Sequence, residues 1–351
     1  MRDVPENNRS AVIVAKMYYY QGLTTDQIAA ELRISRPTIS RLLSFAREKG
    51  IVEVTVYDSD EHRSPVQQEI SERFEIPKVH IVPVSEASGE QIWLQRVAQF
   101  AANYLNSLLT DNQTLGVAWG STISTISKYL VPKALRGVDV VQLNGSGNTL
   151  TNNTTFASEI IMRFANNYSA RAHLFPVPTF FDYAETKKSI WKERSIQRIL
   201  RMQQDSDILL YSLGAVEAGM PSQVYSDGYL EDKDFRELKA RKAVADLAMM
   251  FFSEDGSSQG ISVNARSSGP DLDLYRRVAS SVCVVSGRPK VAALRSALAA
   301  GYTNDLIVDE PTARLVLRSE REKPLARQAR RSKGRRPSSG TGSSGRPDQR
   351  S

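Results

Sequence analysis

The chain is short of the side chains that metal and nucleophilic chemistry most often use. Its 351 residues include one cysteine and three histidines. A lone cysteine, Cys283, excludes an intrachain disulfide and fits a reducing compartment. It lies in the apolar run SSVCVVSG and reads as a small core hydrophobe. His62, His80 and His173 are scattered and give no ligand set with zinc spacing, so neither a metal nor a cofactor is expected. No apolar run approaches the ~20 residues that span a bilayer. The opening MRDVPENNRS lacks the apolar stretch of a secretory signal. The expectation is a cytoplasmic protein with no membrane partner.

An excess of charge is also missing from most of the chain, despite a formal net charge of +7. Arg318–Ser351 holds eleven lysines and arginines against three acids, a net of +8. The 317 residues before it are therefore close to neutral, at −1. The basic pI belongs to the tail, RQARRSKGRRPSSGTGSSGRPDQRS, which has almost no large apolar side chains. Such a segment cannot offset its chain entropy by burial and is expected to be disordered over 319–351. It is either a solvated extension or an arm drawn to nucleic-acid phosphates.

What is present is 41% hydrophobic residues in a length that suggests two domains. The predicted organisation is a helical unit over 1–58, a polar linker over 59–65 and an effector-binding body over 66–318. In the body, strands are predicted at VHIVPV (79–84), TLGVAW (114–119), VDVVQLN (138–144) and RAHLFPV (171–177). Others are predicted at DILLYSL (207–213), GISVNA (260–265), SVCVVSG (281–287) and DLIVD (305–309). Helical patterns lie between most of them, the longest at 89–109 and 185–204. Alternation of β and α with apolar strands predicts an α/β fold, a doubly wound and largely parallel sheet.

In the N-terminal unit, RSAVIVAKMYYYQG predicts a first helix. Thr24 stands three residues before Gln27, the spacing of a capping box, and Ile28, Ala29 and Leu32 form the apolar face behind it. After a short turn, RIS, Ser35 is a good N-cap and Pro37 falls in the first turn of the next helix. There Ile39, Leu42, Leu43 and Ala46 follow i, i+3, i+4, i+7 and must face inward. Gly50 suits the position just past its end. Two short helices on a tight turn are a helix-turn-helix.

Subtracting the inward face leaves Arg36, Pro37, Thr38, Ser40, Arg41 and Ser44. Serine and threonine are poor helix formers on a solvated face, where Glu, Lys and Gln do better. Short hydroxyls do let a helix approach a DNA groove, and arginine can grip guanine with two hydrogen bonds. Arg33–Lys49 carries five cations and one acid, a local basic surface on a near-neutral body. These six residues, with Thr24 and Thr25 at the start of the preceding helix, are the predicted contacts to double-stranded DNA. GIVEVTVYD, just beyond, reads as a wing or closing strand.

The chain resembles the SorC family of sugar-responsive bacterial transcription regulators from about Ala11 to Leu317. The resemblance rests on MYYYQGLTTDQIAAELRISRPTISRLLSFAREKGIVEV, LGVAWGSTI, VVQLNGSG, DGYL, MMFFSEDG and VVSGRPKVAALRSALAAGYTNDLIVDEPTARLVL. It implies a body similar in fold to sugar-phosphate isomerases and deaminases. It also implies a homodimer or homotetramer, and a phosphorylated sugar, polyol or related metabolite that alters the grip on operator DNA.

Read by itself, GVAWGSTI follows a strand and opens a helix. Gly120 allows close approach, and Ser121 and Thr122 offer hydroxyls and N–H groups to an anion. QLNGSGNT sets Asn144, Gly145, Ser146 and Gly147 at the next strand end, where open α/β sheets bind ligands. Lys290 also stands just past a strand, as a point charge for phosphate. The resemblance puts Lys290 and Asp246 in the effector pocket; by itself Asp246 also reads as a helix-surface residue. Asp227 and Asp255 lie beside glycines and read as turn residues.

Two rivals stand against the regulator. One is an isomerase- or deaminase-like enzyme on the same fold, which needs a placed acid or base that the histidine-free loops do not offer. The other is a DNA-binding scaffold without a ligand, which would leave the two glycine-hydroxyl loops without a purpose. No catalytic residue is expected.

Overall fold

The computed structural model describes residues 4–52, 64–147, 153–216 and 228–322. The described residues fall into two compact units, divided between His62 and Arg63.

The first unit is three helices, α1 (Val4–Tyr19), α2 (Thr25–Leu32) and α3 (Arg36–Glu48). Its core joins Ala11, Val14 and Met17 of α1, Ile28 of α2, and Ile39, Leu42, Leu43 and Ala46 of α3. The four α3 residues are the ones the periodicity selects; Ala29 and Leu32 pack half-buried at the edge. The predicted wing strand beyond Val52 and nearly all of the linker lie outside the described residues, as do His62, Asp227 and the tail beyond Glu322. Residues 319–322, predicted as the start of the disordered tail, are instead the last turn of the helix Glu310–Glu322.

The second unit begins with α4 (Pro65–Phe74), β1 (Lys78–Val82), α5 (Glu90–Leu108), β2 (Thr114–Val117), α6 (Ser121–Ser127) and β3 (Asp139–Gln142). It continues through α7 (Asn153–Tyr168), β4 (Arg171–His173), α8 (Ala184–Ile190), α9 (Arg194–Gln204), β5 (Ile208–Tyr211) and β6 (Leu213–Ala215). After 228 come α10 (Asp232–Ala240), β7 (Ala243–Leu247), β8 (Met250–Ser253), α11 (Leu272–Arg277) and β9 (Ser280–Val285). The described part closes with α12 (Val291–Ala299), β10 (Asp305–Asp309) and α13 (Glu310–Glu322).

Seven strands form one sheet in the order β1-β10-β9-β5-β2-β3-β4, every neighbouring pair parallel. Parallel strands need both faces covered, and successive residues supply opposite faces. Leu115, Val117, Ile208, Leu210, Val284 and Ile307 pack with α5, α6 and α7. Their neighbours Leu209, Tyr211, Cys283, Val285, Leu306 and Val308 pack with α4, α12 and α13. The doubly wound sheet is therefore as predicted. From β2 the chain steps through β3 and β4 to one edge, whereas β5, β9 and β10 step the other way. The reversal between β2 and β5 is the switch point at which such sheets open a crevice.

Three local expectations are corrected. GISVNA is not a strand: Ser262–Arg266 is a 3₁₀ turn. The Asn264 side chain explains it, accepting from the Phe251 N–H and donating to the Phe251 carbonyl, each at 2.8 Å. One amide side chain thus replaces a strand partner. The helix predicted over 185–204 is two, α8 and α9, parted where Trp191 wedges against Phe175 and Phe181. Asp246 lies on a strand, not a helix. Antiparallel β6, β7 and β8 form a second small sheet, and only two residues, Ala248 and Met249, turn β7 into β8. Both have left-handed backbones, φ 44° and 74°. Such a turn normally carries Asn-Gly, so the sequence gives no hairpin signal here.

Candidate functional site

In the N-terminal unit the caps are built as expected. Thr24 accepts from the Gln27 N–H at 3.3 Å, and the Gln27 side chain accepts from the Thr24 N–H at 2.9 Å. Ser35 accepts from the Thr38 N–H at 3.3 Å. Between the helices Arg33 takes the left-handed conformation, φ 55°.

Arg36, Pro37, Ser40 and Arg41 are exposed on α3, with Thr38, Ser44 and Thr25 half-buried at its flank and on α2. Several predicted contacts already have partners. The Thr24 hydroxyl bonds Gln27, Thr38 and Ser35 share a hydroxyl contact of 2.8 Å, and Ser44 accepts from Arg47. Arg36 meets Asp26 at 3.5 Å with both side chains largely in water, a pair that a phosphate can displace at little cost. The Arg41 Nε sits 3.4 Å from the Pro37 carbonyl, which steadies the stem while the guanidinium stays exposed.

In the second unit a cavity of about 630 Å³ opens at the switch point. Its walls come from the carboxyl ends of β2 (Ala118–Ile123), β5 (Ser212) and β9 (Ser286, Pro289 and Lys290), from β6, Asp246 and the β7–β8 turn, and from the start of α5. Of the predicted residues, Gly120, Ser121, Thr122, Asp246 and Lys290 line it. Gly120, at φ 153°, starts α6 with no side chain over the first N–H groups.

The Lys290 ammonium donates to the Thr122 hydroxyl at 3.2 Å and the Ser212 hydroxyl at 3.0 Å. Its pKa is pushed below the ordinary lysine value by burial, with Cys283 and Asp246 pulling the other way. The Ser286 hydroxyl, buried in the same wall, has no hydrogen-bond partner among the described residues. One cation meets two hydroxyls, and a third hydroxyl lines the same cavity, with donor capacity to spare.

Asp246 is buried, and its carboxylate accepts from the Met249 N–H at 3.1 Å, closing the strained turn. Gly214 opposite is obligatory, since a Cβ there would lie 1.9 Å from the Asp246 Oδ1. Asp255, by contrast, is a turn residue: its carboxylate accepts from Ser253 and from the Ser257 N–H.

Asn144, Gly145, Ser146 and Gly147 are not brought to this cavity. Gly145 donates to the Ser268 hydroxyl at 2.9 Å, and its carbonyl accepts from the Trp119 indole and from Thr179, each at 3.0 Å. Gly147 donates to the Val177 carbonyl. A Cβ on Gly145 would lie 2.4 Å from that same carbonyl oxygen, so the glycine serves close packing. Ser146 and Gly147 instead line a separate crevice of about 810 Å³. Asn144 is fully buried, its amide without a partner among the described residues.

Sequence reasoning missed Ser212, Ser286, Glu90 and Gly214. Ser212 and Ser286 each follow a buried strand directly, in ILLYS and CVVS, as Ala118 follows β2. A serine closing an apolar run was the available signal.

Two family models match the chain. The Sugar-bind (sugar-binding domain) family covers residues 60–318, and Sigma-70, region 4, a helix-turn-helix, covers residues 8–49. The chain is 32% identical over 314 residues to the "Deoxyribonucleoside regulator" of Bacillus subtilis (strain 168), covering 89% of this chain and 98% of that one. It is 25% identical over 312 residues to the "Sorbitol operon regulator" of Klebsiella pneumoniae, covering 88% and 98%. Among solved structures, it matches a domain of a possible sugar-binding transcriptional regulator from Arthrobacter aurescens TC1. That match has 43% identity and a TM-score of 0.69, covering 75% of this chain and all of that one. The full-length sorbitol operon regulator SorC from Klebsiella pneumoniae matches at TM-score 0.70 and 23% identity, covering 88% and 98%, a likeness of fold alone.

Proposed function

Because the chain belongs to the SorC family of sugar-responsive, DNA-binding transcription regulators, we propose that it controls a carbohydrate or polyol catabolic operon in answer to a phosphorylated sugar or polyol. It is a regulator and not an enzyme; its relatives are named as transcriptional regulators.

The observation that carries the phosphate reading is the donor cluster around the Lys290 ammonium in the cavity wall. There Lys290, Thr122, Ser212 and the unpartnered Ser286 hydroxyl meet the uncapped start of α6. A phosphoryl group brings about −1.5 to −2 of charge and three acceptor oxygens, which is what these donors lack. Asp246, on the opposite wall, is a natural acceptor for sugar hydroxyls. On the DNA side, Arg36 and Arg41 lead the contact, with Pro37, Ser40 and the flanking hydroxyls allowing close approach in the major groove.

The protein acts in the cytoplasm as a homodimer or homotetramer. Paired helix-turn-helix units call for a palindromic operator with half-sites about 34 Å apart. Effector binding in the body changes operator affinity, and by reciprocity operator DNA changes effector affinity by the same factor.

The test pairs two variants of the full chain. Arg41→Ala should lose operator binding in a gel shift while keeping the thermal shift given by sugar phosphates. Thr122→Arg should do the reverse. The probe panel includes a phosphorylated deoxyribose, prompted by the name of the Bacillus subtilis relative. Unchanged operator binding by Arg41→Ala would sink the DNA assignment, and an unchanged effector response in Thr122→Arg would sink the cavity assignment.

A further inference from the structure

The charges of the cavity wall are unequal. Among the described residues that line it, Lys290 is the one cation, whereas Glu90 and Asp246 are both acids. The next arginine does not restore the balance. Arg288 holds its guanidinium 5.0 Å from the centre of the Trp93 ring and does not line the cavity.

Glu90 is also fixed in place. Its carboxylate accepts from the Arg288 N–H at 3.0 Å, and a Cβ on Gly287 would lie 3.5 Å from its second oxygen. The backbone of the 3₁₀ turn Arg288–Lys290 is thereby withdrawn from ligands. The Gly287 N–H is spent as well, on Asp309 and Thr312 at 3.0 and 3.1 Å. What resembles a second anion site, a glycine turn leading into a helix, is filled by the protein's own carboxylates.

We propose that Glu90 is a specificity-determining residue which limits the effector to one phosphoryl group, bound at the Lys290 ammonium, and rejects doubly phosphorylated sugars. This rests on the phosphate reading above. A first phosphoryl group meets the ammonium and the hydroxyls around it. A second finds no further cation among the described lining residues, only the carboxylates of Glu90 and Asp246 in a partly desolvated site, where like charges repel far more strongly than in water. The unphosphorylated end is hydroxyl-rich, since carboxylates accept hydrogen bonds from hydroxyls and repel phosphate.

The experiment is calorimetric titration of the full chain with a hexose monophosphate and with the matching 1,6-bisphosphate. The wild type should bind the monophosphate at least about tenfold more tightly. Glu90→Gln keeps an oxygen acceptor for the Arg288 N–H, so the turn survives. It should tighten bisphosphate binding about tenfold while changing monophosphate binding less than about threefold. Glu86→Gln, on the exposed turn before α5, should change neither. Wild-type binding of the bisphosphate as tight as the monophosphate, or an unaltered ratio in Glu90→Gln, would overturn the role of Glu90 and leave the phosphate reading standing. No binding of either sugar would overturn both.

Discussion

Lys290→Met removes the ammonium but keeps most of the side-chain volume, and its two expected effects run in opposite directions. Hydrogen bonds to charged groups are worth about 1.5–3 kcal/mol, so losing one phosphate contact should weaken sugar-phosphate binding about 10- to 150-fold. Stability should not fall. The lysine donates to two hydroxyls, at 3.2 and 3.0 Å, but its lowered pKa shows that the site disfavours the charge relative to water. Removing a charge that the fold tolerates at a cost should leave the free protein about as stable.

The sign of the pH dependence follows. Below the lowered folded pKa both states hold the proton, and the penalty is fully present. Between that pKa and the ordinary value of 10.5, the unfolded chain binds a proton that the folded one does not, so this group makes stability rise with pH. Lys290→Met should abolish that rise. Urea titrations from neutral to alkaline pH, with calorimetric titration of the sugar phosphate, read both effects. A variant that loses more than about 2 kcal/mol of stability and binds the effector normally would refute the reasoning, making Lys290 a structural residue.

Two further outcomes can be checked. Ser35→Ala deletes the α3 cap, worth about 1 kcal/mol, so amide exchange in the first turns of α3 should speed about fivefold, and unchanged protection would show the cap to be idle. Gly214→Ala forces a methyl to within 1.9 Å of the Asp246 Oδ1 and should cost about 1–3 kcal/mol in a denaturant melt and blunt the effector response, with operator binding retained.

Legibility in the sequence followed the range of the interactions. The inward set of α3 was readable because helix periodicity is local, and so were the caps at Thr24 and Ser35. Seven of the eight predicted strands stand because a buried parallel strand announces itself as an apolar run. The β7–β8 hairpin was hidden because its turn uses Ala248 and Met249 where a turn signal would have been Asn-Gly. GISVNA looked like a strand because nothing in its own six residues reveals that Asn264 will pair with Phe251. Lys290 and Thr122 could each be proposed from their place after a strand, but their contact joins residues 168 apart. Asn144–Gly147 misled for a related reason. A glycine needed for packing against Val177 looks, in sequence, like a glycine needed for a ligand.

The alternation of the central strands also divides the body's mutational landscape. Cys283 and Val284 are neighbours in the chain, yet one belongs to the layer beneath α12 and α13 and the other to the layer beneath α5 and α7. Substitutions within one layer share partners and should compensate or aggravate each other, while those across the sheet should combine more nearly as independent increments. The cavity touches both layers, through Ile123 on one side and Ala118 and Leu213 on the other. Either layer can therefore drift without its twin, and each offers a separate route by which changes far from the ligand could retune its grip.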